Sequence, residues 1–371
     1  MAVELHGHCD RAFVPVRDAF RGGFACRGER GAAVAAWVDD RLVVDLWAGL
    51  ADPVAGEPWR RDTIAHAYSV AKPLVGSCAW LLAERGTLEL DAPVARYWPE
   101  YAQAGKEATA VRQVLAQQAG VVVLRESQPA EALLDWQRVV QLLEAEPPLF
   151  EPGTAHAEQA LFFGHLVGEL VRRVDGRTLG RFFADEVARP WALDYHFGLG
   201  PAEQERCARL VDEGGDWKRS VLHDPRPLLV AGITNPPGTL DADVVNSAAW
   251  RAAEVPAVNG HGSARAVASF YGGLAAGGVL DGVRLFREQT VDEALRPWAA
   301  GEDLLLETAA TWGLGLQSED GFFGLGGIGG FGGYGIRRDG IAAGFGYVTS
   351  KLGTHDRADA CSDALEAVLG L

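Results

Sequence analysis

The sequence predicts an α+β fold in which an antiparallel sheet with flanking helices is built from both ends of the chain, around an inserted all-helical domain. Three observations predict it: a two-strand pattern near the N-terminus, a mainly helical block from about residue 70 to 300, and short strand candidates after about residue 305. Strands from both ends can share one sheet only if the helical block is an insertion. We therefore assign residues 1–68 and 300–371 to a sheet domain and residues 69–299 to a mainly helical domain.

The strand predictions rest on two regions. Residues 31–52, GAAVAAWVDDRLVVDLWAGLAD, contain two apolar runs on either side of Asp39-Asp40, which predicts a β-hairpin with a tight turn. After about residue 305, the stretches WGLGLQ, GFFGLGG, GYGIRRDG and IAAGFGYVTS are short and punctuated by glycine. This texture is typical of short strands joined by turns.

The helix predictions rest on periodicity. Residues 74–85 are apolar almost all round, which predicts a buried helix. Residues 161–173 and 263–275 carry apolar positions at helical spacing. The chain closes with DRADACSDALEAVLG, which predicts an amphipathic terminal helix.

Composition excludes several classes of partner. The chain has 371 residues and a net charge of −16, which argues against nucleic acid or anionic membrane as a partner, because phosphate binding needs a cationic surface. No segment reaches the roughly 18 uninterrupted apolar residues of a membrane span. The opening MAVELHGHCDRAF lacks a basic stretch followed by an apolar run, so we expect no secretory signal and a cytoplasmic protein.

The cysteines and histidines indicate no metal, disulfide or cofactor. The five cysteines are scattered, odd in number and form no C-x-x-C pair, and the nine histidines show no H-E-x-x-H spacing. Reduced thiols in a cytoplasm fit this pattern. The cysteines are Cys9, Cys26, Cys78, Cys207 and Cys361.

The stretch AYSVAKPLVG, residues 67–76, contains a candidate nucleophile. Pro73 is tolerated only in the first turn of a helix, which places Ser69 at or just before the helix start and Lys72 within that turn. Three residues apart, the two side chains can face the same way. The hydroxyl then lies at the positive end of the helix dipole, where a lysine eases alkoxide formation. The alternative is a plain helix cap beside a solvated charge.

Further stretches accompany this motif in collinear order. They are HGHCDRAF, VVDLWAGLAD, LDAPVARYWPEYAQAGKEATAVRQVLAQQAG, EPGTAH with LVGELVRRV, NGHGSARAVASFY, and AGFGYVTSKLG with HDRADA. With them, nearly the whole chain resembles the serine β-lactamase-related family of class C β-lactamases, DD-peptidases and family VIII carboxylesterases. The resemblance implies an α/β domain, an all-helical domain and an active-site cleft between them. It also implies that Ser69 is acylated by substrate and that Lys72 activates it.

One departure from the family pattern replaces the usual base. Members of the family carry a Tyr four residues after the Thr of PGT, but here that position is Glu158. A tyrosine beside a lysine can act as a strong base, whereas a carboxylate is a much weaker base for a serine hydroxyl. We expect Glu158 to form an ion pair with Lys72. An alternative role for Glu158 is activation of a water or of a bound amine.

A second departure lies in the stretch FGLGGIGGFGGYG, where relatives carry Lys-Thr-Gly, His-Gly-Gly or Trp-Gly-Gly. Leu325 occupies the cationic or polar position, so a free substrate carboxylate lacks a counter-charge. Gly326 and Gly327 let a substrate approach the backbone closely. By analogy, the N–H groups of Ser69 and Ile328 form the oxyanion hole.

A third departure is Gln117, which stands in Leu-Ala-Gln where relatives read Leu-Ser-His, so that a polar supporting pair is expected to be lost.

The same stretch contains a literal G-x-G-x-x-G at Gly324, Gly326 and Gly329. A dinucleotide site needs a helix that opens at the last glycine, and GGYGIRRDG is a poor helix former. We therefore reject nucleotide binding.

Two histidines are candidate substrate contacts. His156 lies two residues before Glu158, and His261 lies in NGHGSARA, which the resemblance places near the cleft. The plain alternatives are a hydrogen-bonded loop histidine for His156 and turn chemistry for His261.

The leading hypothesis is a serine hydrolase or acyltransferase, an esterase or a biosynthetic transacylase, that acts on an ester, thioester or amide through an acyl-Ser69 intermediate. The expected partner is a small-molecule or carrier-bound acyl substrate, and penicillins and cephalosporins are expected to be poor ones. Two alternatives remain: a non-catalytic binding scaffold, and a Glu158-based acid–base catalyst without an acyl-serine. The sequence makes no prediction of oligomeric state.

Overall fold

The computed structural model describes residues 3–371, so residues 1 and 2 of the predicted sheet domain lie outside it. Its centre is a ten-stranded antiparallel sheet in the order β1-β3-β2-β15-β14-β13-β12-β11-β10, with β4 paired to β3. A three-stranded sheet, β5-β7-β6, and the hairpin β8-β9 complete the strands. The strands are Leu5–Cys9 (β1), Gly31–Val38 (β2), Arg41–Asp52 (β3), Glu57–Pro58 (β4), Ala65–His66 (β5), Tyr195–His196 (β6), His261–Gly262 (β7), Val279–Leu280 (β8), Val283–Arg284 (β9), Ala299–Asp303 (β10), Thr308–Trp312 (β11), Gln317–Glu319 (β12), Phe322–Gly324 (β13), Gly332–Arg338 (β14) and Ile341–Thr349 (β15).

The helices form two groups, one against the large sheet and one in the middle of the chain. The α-helices are Val14–Cys26 (α1), Ala71–Glu84 (α2), Val111–Leu115 (α3), Trp136–Ala145 (α4), Phe163–Asp175 (α5), Leu179–Phe183 (α6), Pro201–Glu205 (α7), Asp216–Leu222 (α8), Pro227–Thr234 (α9), Ala242–Val245 (α10), Ala248–Ala252 (α11), Ala264–Ala275 (α12), Glu288–Leu295 (α13) and Asp356–Leu369 (α14). The four helices predicted by periodicity correspond to α2, α5, α12 and α14, and are confirmed.

The predicted hairpin is also confirmed. Its turn residues Asp39 and Asp40 have φ values of 45° and 66°. Both lie in the left-handed region that the favoured two-residue hairpin turn requires, and a short polar aspartate tolerates it better than an apolar residue does.

The two ends of the chain meet at the centre of the sheet. Strand β2 pairs with β15 in an antiparallel register that runs from Val38 opposite Ala343 to Thr349 opposite Ala32. One face of this sheet is covered by α1 and α14, with Phe20, Phe345 and Leu365 in their shared core. The central helices are therefore an insertion between strands of one sheet, as predicted.

Helix α12 covers the opposite face of the sheet. A Cβ added at Gly344 would lie 2.1 Å from the carbonyl oxygen of Ala268, and one at Gly346 would lie 2.3 Å from that of Ala264. Side chains at these two positions would hold the helix off the sheet. The predicted helical domain, residues 69–299, includes α12. This part of the domain prediction is wrong, because α12 packs on the large sheet.

Helix α2 carries the candidate nucleophile and is buried along most of its length. It packs against α5 and α6 in the helical region. Among residues 3–371, no helix is both long enough and apolar enough to cross a bilayer.

A buried ion pair anchors α14 to the sheet. Arg357 Nη1 donates to Glu29 Oε2 at 3.0 Å, and both side chains are almost fully buried. Glu29 also accepts hydrogen bonds from the hydroxyls of Tyr347 at 2.8 Å and Thr349 at 2.9 Å. Removal of Arg357 would leave a buried carboxylate without its counter-charge.

We expect Arg357→Ala to lower the free energy of unfolding by about 3–5 kcal/mol, because it isolates a buried charge. The measurement is the urea midpoint followed by tryptophan fluorescence. Arg338→Ala is the matched control, since it breaks an exposed pair with Asp339 and should change stability by less than about 1 kcal/mol. Equal midpoints for the two variants would contradict the assignment.

Candidate active site

Ser69 and Lys72 are brought together at the start of α2. A 3₁₀ turn, Tyr68–Val70, leads into the helix, and Lys72 Nζ donates to Ser69 Oγ at 2.7 Å. Ser69 is 9% exposed and Lys72 is 0% exposed. No side chain caps α2, and Lys72 is not solvated. The alternative of a plain helix cap beside a surface charge is therefore wrong.

The residue before Ser69 has an unusual backbone. Tyr68 has a φ of 45°, in the left-handed region that bulky residues avoid. Such a conformation costs on the order of 1–3 kcal/mol and persists only where the surroundings enforce it. Here the Tyr68 hydroxyl donates to the carbonyl of Thr239 at 2.9 Å, and its ring packs against Trp217 and Phe331. The turn that presents Ser69 is therefore held rigidly.

Glu158 completes a chain of three groups. Its Oε1 lies 2.9 Å from Lys72 Nζ, and its side chain is only 11% exposed. Lys72 thus bridges the serine hydroxyl and the carboxylate within a single hydrogen-bonded line. The ion pair expected from the sequence is present.

Asp303, which the sequence did not indicate, holds the backbone of Glu158. Its Oδ1 accepts the N–H of Glu158 at 3.2 Å, and those of Leu305 and Leu306 at 2.9 and 3.0 Å. Its Oδ2 accepts the indole N–H of Trp312 at 2.9 Å. Burial raises the pKa of Asp303, and these donors offset part of that effect. A lone aspartate before three leucines gives no sequence signal for this contact, since Glu158 is 145 residues away.

Gln117 supports the same segment from the other side. Its carbonyl accepts the N–H of Ala157 at 3.0 Å, and its side-chain oxygen accepts the N–H of Gln159 at 2.8 Å. The backbone of Gln117 is itself in the left-handed region, with a φ of 62°. The expectation that polar support is lost at this position is wrong, because the glutamine provides it.

His156 lies in the same segment. Its carbonyl accepts the N–H of Leu304 at 3.1 Å, so the β10–β11 hairpin is tied to it as well. Its ring is buried, and Nε2 has no hydrogen-bond partner among the described residues. A contact between His156 and substrate stays a prediction.

Residues 325–331, here called the glycine loop, lie beside the nucleophile turn. A Cβ at Gly327 would lie 2.4 Å from the carbonyl oxygen of Ala67, so only glycine fits there. The amide N–H groups of Ser69 and Ile328 make no backbone hydrogen bond in the described part of the chain. Strand β14 follows the loop, and no helix opens at Gly329, which agrees with the rejection of a dinucleotide site.

Leu325 begins the glycine loop in an apolar setting. Its side chain clusters with Ala299, Ala310 and Trp312. Its N–H is shared between the carbonyl of Gly333 at 3.1 Å and the Tyr271 hydroxyl at 3.3 Å. Trp312 also contacts Asp303, so the apolar position and the support of Glu158 are neighbours. Gly326 follows Leu325 with no close obstruction at its Cβ position.

His261 is not placed to touch a substrate, which corrects the prediction. Its imidazole is fully buried on β7, in register with His66 of β5 and His196 of β6. The His66 and His261 rings lie 5.2 Å apart. Over residues 3–371, no three His, Cys, Asp or Glu side chains form a possible metal site.

Three buried histidines are held neutral. Burial lowers the pKa of His66 and of His165 to about 3, and lowers that of His261 well below its usual value. A histidine in an unfolded chain titrates near 6.5, so the unfolded state binds more protons between about pH 6.5 and 3. The contribution of these groups to stability is therefore complete above about pH 6.5 and falls as the pH drops through this window.

We expect His165→Phe to reduce this acid sensitivity. Both ring nitrogens of His165 lack partners among the described residues, and the ring lies 4.7 Å from that of Trp136. A phenyl ring can occupy this site without a titrating group. The measurement is the melting temperature of both proteins between about pH 8 and pH 4.5. The melting temperature of the variant should match that of wild type at the upper pH and exceed it at the lower pH. Parallel curves would show that His165 does not contribute to the acid sensitivity.

Four matches to known families and proteins follow from comparison of the chain. A family model described as "Beta-lactamase" matches residues 16–369. The esterase/beta-lactamase LipL of Mycobacterium tuberculosis is 34% identical over 295 residues, 77% of this chain and 68% of that protein. Among solved structures, a family VIII carboxylesterase has a TM-score of 0.89 at 35% identity, covering 98% of this chain and 100% of its own. A penicillin-binding protein homologue from Caulobacter crescentus has a TM-score of 0.87 at 32% identity, with the same two coverages.

Proposed function

The chain belongs to the beta-lactamase family, and on that premise we propose that it is a serine hydrolase that cleaves esters through an acyl-Ser69 intermediate. The observation that carries this proposal is the buried line from Ser69 through Lys72 to Glu158, with distances of 2.7 and 2.9 Å. The similarity to an esterase/beta-lactamase and to a carboxylesterase supports esters as the substrate class.

The first step is attack of Ser69 Oγ on the ester carbonyl. Lys72 passes one proton to Glu158 and takes the proton of Ser69, so the base is the Lys72–Glu158 pair rather than a tyrosinate. The Oγ–C bond forms, and the carbonyl oxygen becomes an oxyanion. This oxyanion accepts hydrogen bonds from the N–H groups of Ser69 and Ile328. The N-terminus of α2 adds a favourable dipole at the same place.

Collapse of this intermediate breaks the ester C–O bond. The leaving alkoxide takes a proton from the Lys72–Glu158 pair and departs as an alcohol, leaving acyl-Ser69. A water then attacks the acyl carbonyl carbon and gives one proton to the same pair. The acyl C–Oγ bond breaks, the acid is released, and Ser69 Oγ takes the proton back from the pair. When an alcohol or amine replaces the water, the same steps amount to acyl transfer.

The supports of Glu158 suit this role. Asp303 and Gln117 fix the backbone on both sides of the carboxylate, so it faces Lys72 without reorganisation. A base that is held in place loses less entropy in the transition state than a mobile one. The catalytic groups come from the helical insertion and the glycine loop from the sheet domain, which supports a cleft between them.

The test is covalent labelling. Wild type treated with an activated phosphonate or a nitrophenyl ester should gain one adduct on Ser69, detected by peptide mass spectrometry, and Ser69→Ala should gain none. Glu158→Gln should slow acylation by about 10²–10⁴-fold, the usual contribution of a general base. Glu158→Tyr, which restores the family residue, is the matched control. Melting temperatures check that each variant is folded.

Two other outcomes of these experiments would support the alternative functions. Substrate turnover that is lost in Glu158→Gln, without any Ser69 adduct in wild type, supports acid–base catalysis by Glu158. Neither adduct nor turnover supports a binding scaffold.

The apolar setting of Leu325 bears on the substrate. A leucine offers no counter-charge to a free carboxylate, so neutral esters fit better than penicillins or cephalosporins. We expect kcat/KM for nitrocefin to be at least about tenfold below that for a neutral nitrophenyl ester, since a hydrogen bond to a charged group contributes about 1.5–3 kcal/mol. Leu325→His should reduce the difference between these two kcat/KM values. Nitrocefin turnover equal to that of the ester would contradict the preference for neutral esters.

A further inference from the structure

His355 contacts the glycine loop from outside the catalytic line. It precedes the first turn of α14, and its Nε2 lies 2.9 Å from the carbonyl oxygen of Gly327. That carbonyl belongs to the same peptide unit as the N–H of Ile328. The oxygen can only accept, so Nε2 of His355 must carry the proton and donate.

The geometry of a peptide links these two groups. The unit is planar and trans, so its C=O and N–H point in opposite directions. Anchoring the Gly327 oxygen toward His355 therefore turns the Ile328 N–H away from His355. On the other side of the loop, Gly327 packs directly against Ala67, two residues before Ser69.

A second donor acts on the same oxygen. The N–H of Phe331 reaches the Gly327 carbonyl at 3.2 Å. Hydrogen bonds to a carbonyl polarise the amide and strengthen its own N–H as a donor, by about 10–30% per bond. The His355 contact thus acts on both the direction and the donor strength of the Ile328 N–H.

We propose that His355 is a positioning residue for the oxyanion hole, acting through the Gly327–Ile328 peptide. This rests on the proposed function, since it takes Ile328 as an oxyanion donor. His355 touches no reacting atom. With Gly326 and Asp359, it lines a cavity of about 360 Å³ whose lining does not include Ser69, Lys72 or Glu158. That cavity is large enough to admit an added imidazole.

The test uses His355→Ala, His355→Gln and the control Asp359→Asn, which lines the same cavity without contacting Gly327. For a nitrophenyl ester, His355→Ala should lower kcat about tenfold and change KM by less than about twofold. This loss is smaller than the 10²–10³-fold loss seen when an oxyanion donor is removed outright. His355→Gln, which keeps an N–H donor, should recover much of the rate, as should imidazole added to His355→Ala. Asp359→Asn should match wild type.

A spectroscopic readout separates positioning from general damage. The carbonyl stretch of isotope-labelled acyl-Ser69 should move to higher frequency in His355→Ala, because a weaker oxyanion hole polarises that carbonyl less, and should return with imidazole. An unchanged stretch and kcat in His355→Ala, with Ser69 labelled normally, would overturn this proposal alone. Failure of wild type to form acyl-Ser69 would overturn the proposed function and this proposal with it.

Discussion

The ammonium of Lys72 is wholly removed from solvent, so groups inside the protein must offset the cost of its desolvation. Two oxygen atoms do so. One is the hydroxyl of Ser69 and the other is the carboxylate of Glu158. Desolvation of a charge costs several kcal/mol, which only a close and well-oriented partner can offset. The arrangement of the site follows from this requirement. Without a group at the position of Glu158 that accepts from Lys72, the buried ammonium would lack the partner that offsets its desolvation.

The same requirement explains how Glu158 is held. The carboxylate lies on a stretch without regular secondary structure, which by itself would not keep it in place. Asp303 holds it from a hairpin of the sheet domain, and Gln117 holds it from the end of α3. Both supports act on backbone groups, so they specify the path of the chain and leave the side chain free to face Lys72. Glu158, at the position where the family resemblance predicts a tyrosine, thus lies in a segment whose backbone is hydrogen-bonded on both sides.

The opposite wall of the site differs in character. The glycine loop approaches the nucleophile turn so closely that Gly327 admits no side chain, and its first residue is a buried leucine. Its amide groups supply the polarity that its side chains lack. In the proposed mechanism, binding of the oxyanion on this side depends on backbone N–H groups, whose direction is controlled by whatever their carbonyls contact. His355 and Phe331 make those contacts.

The local sequence pattern was enough to predict the hairpin at Asp39-Asp40 and helices α2, α5, α12 and α14. It also predicted that the side chains of Ser69 and Lys72 face the same way. Each depends on short-range sterics and on the spacing of apolar residues, which can be read from neighbours in the chain. The ion pair between Lys72 and Glu158 was predicted through the family resemblance. Tertiary structure alone decided that Asp303 holds Glu158, that His355 contacts the glycine loop, that His261 faces His66 and that α12 packs on the sheet. These contacts join residues tens to hundreds of positions apart, and no local periodicity records which distant segments the fold brings together.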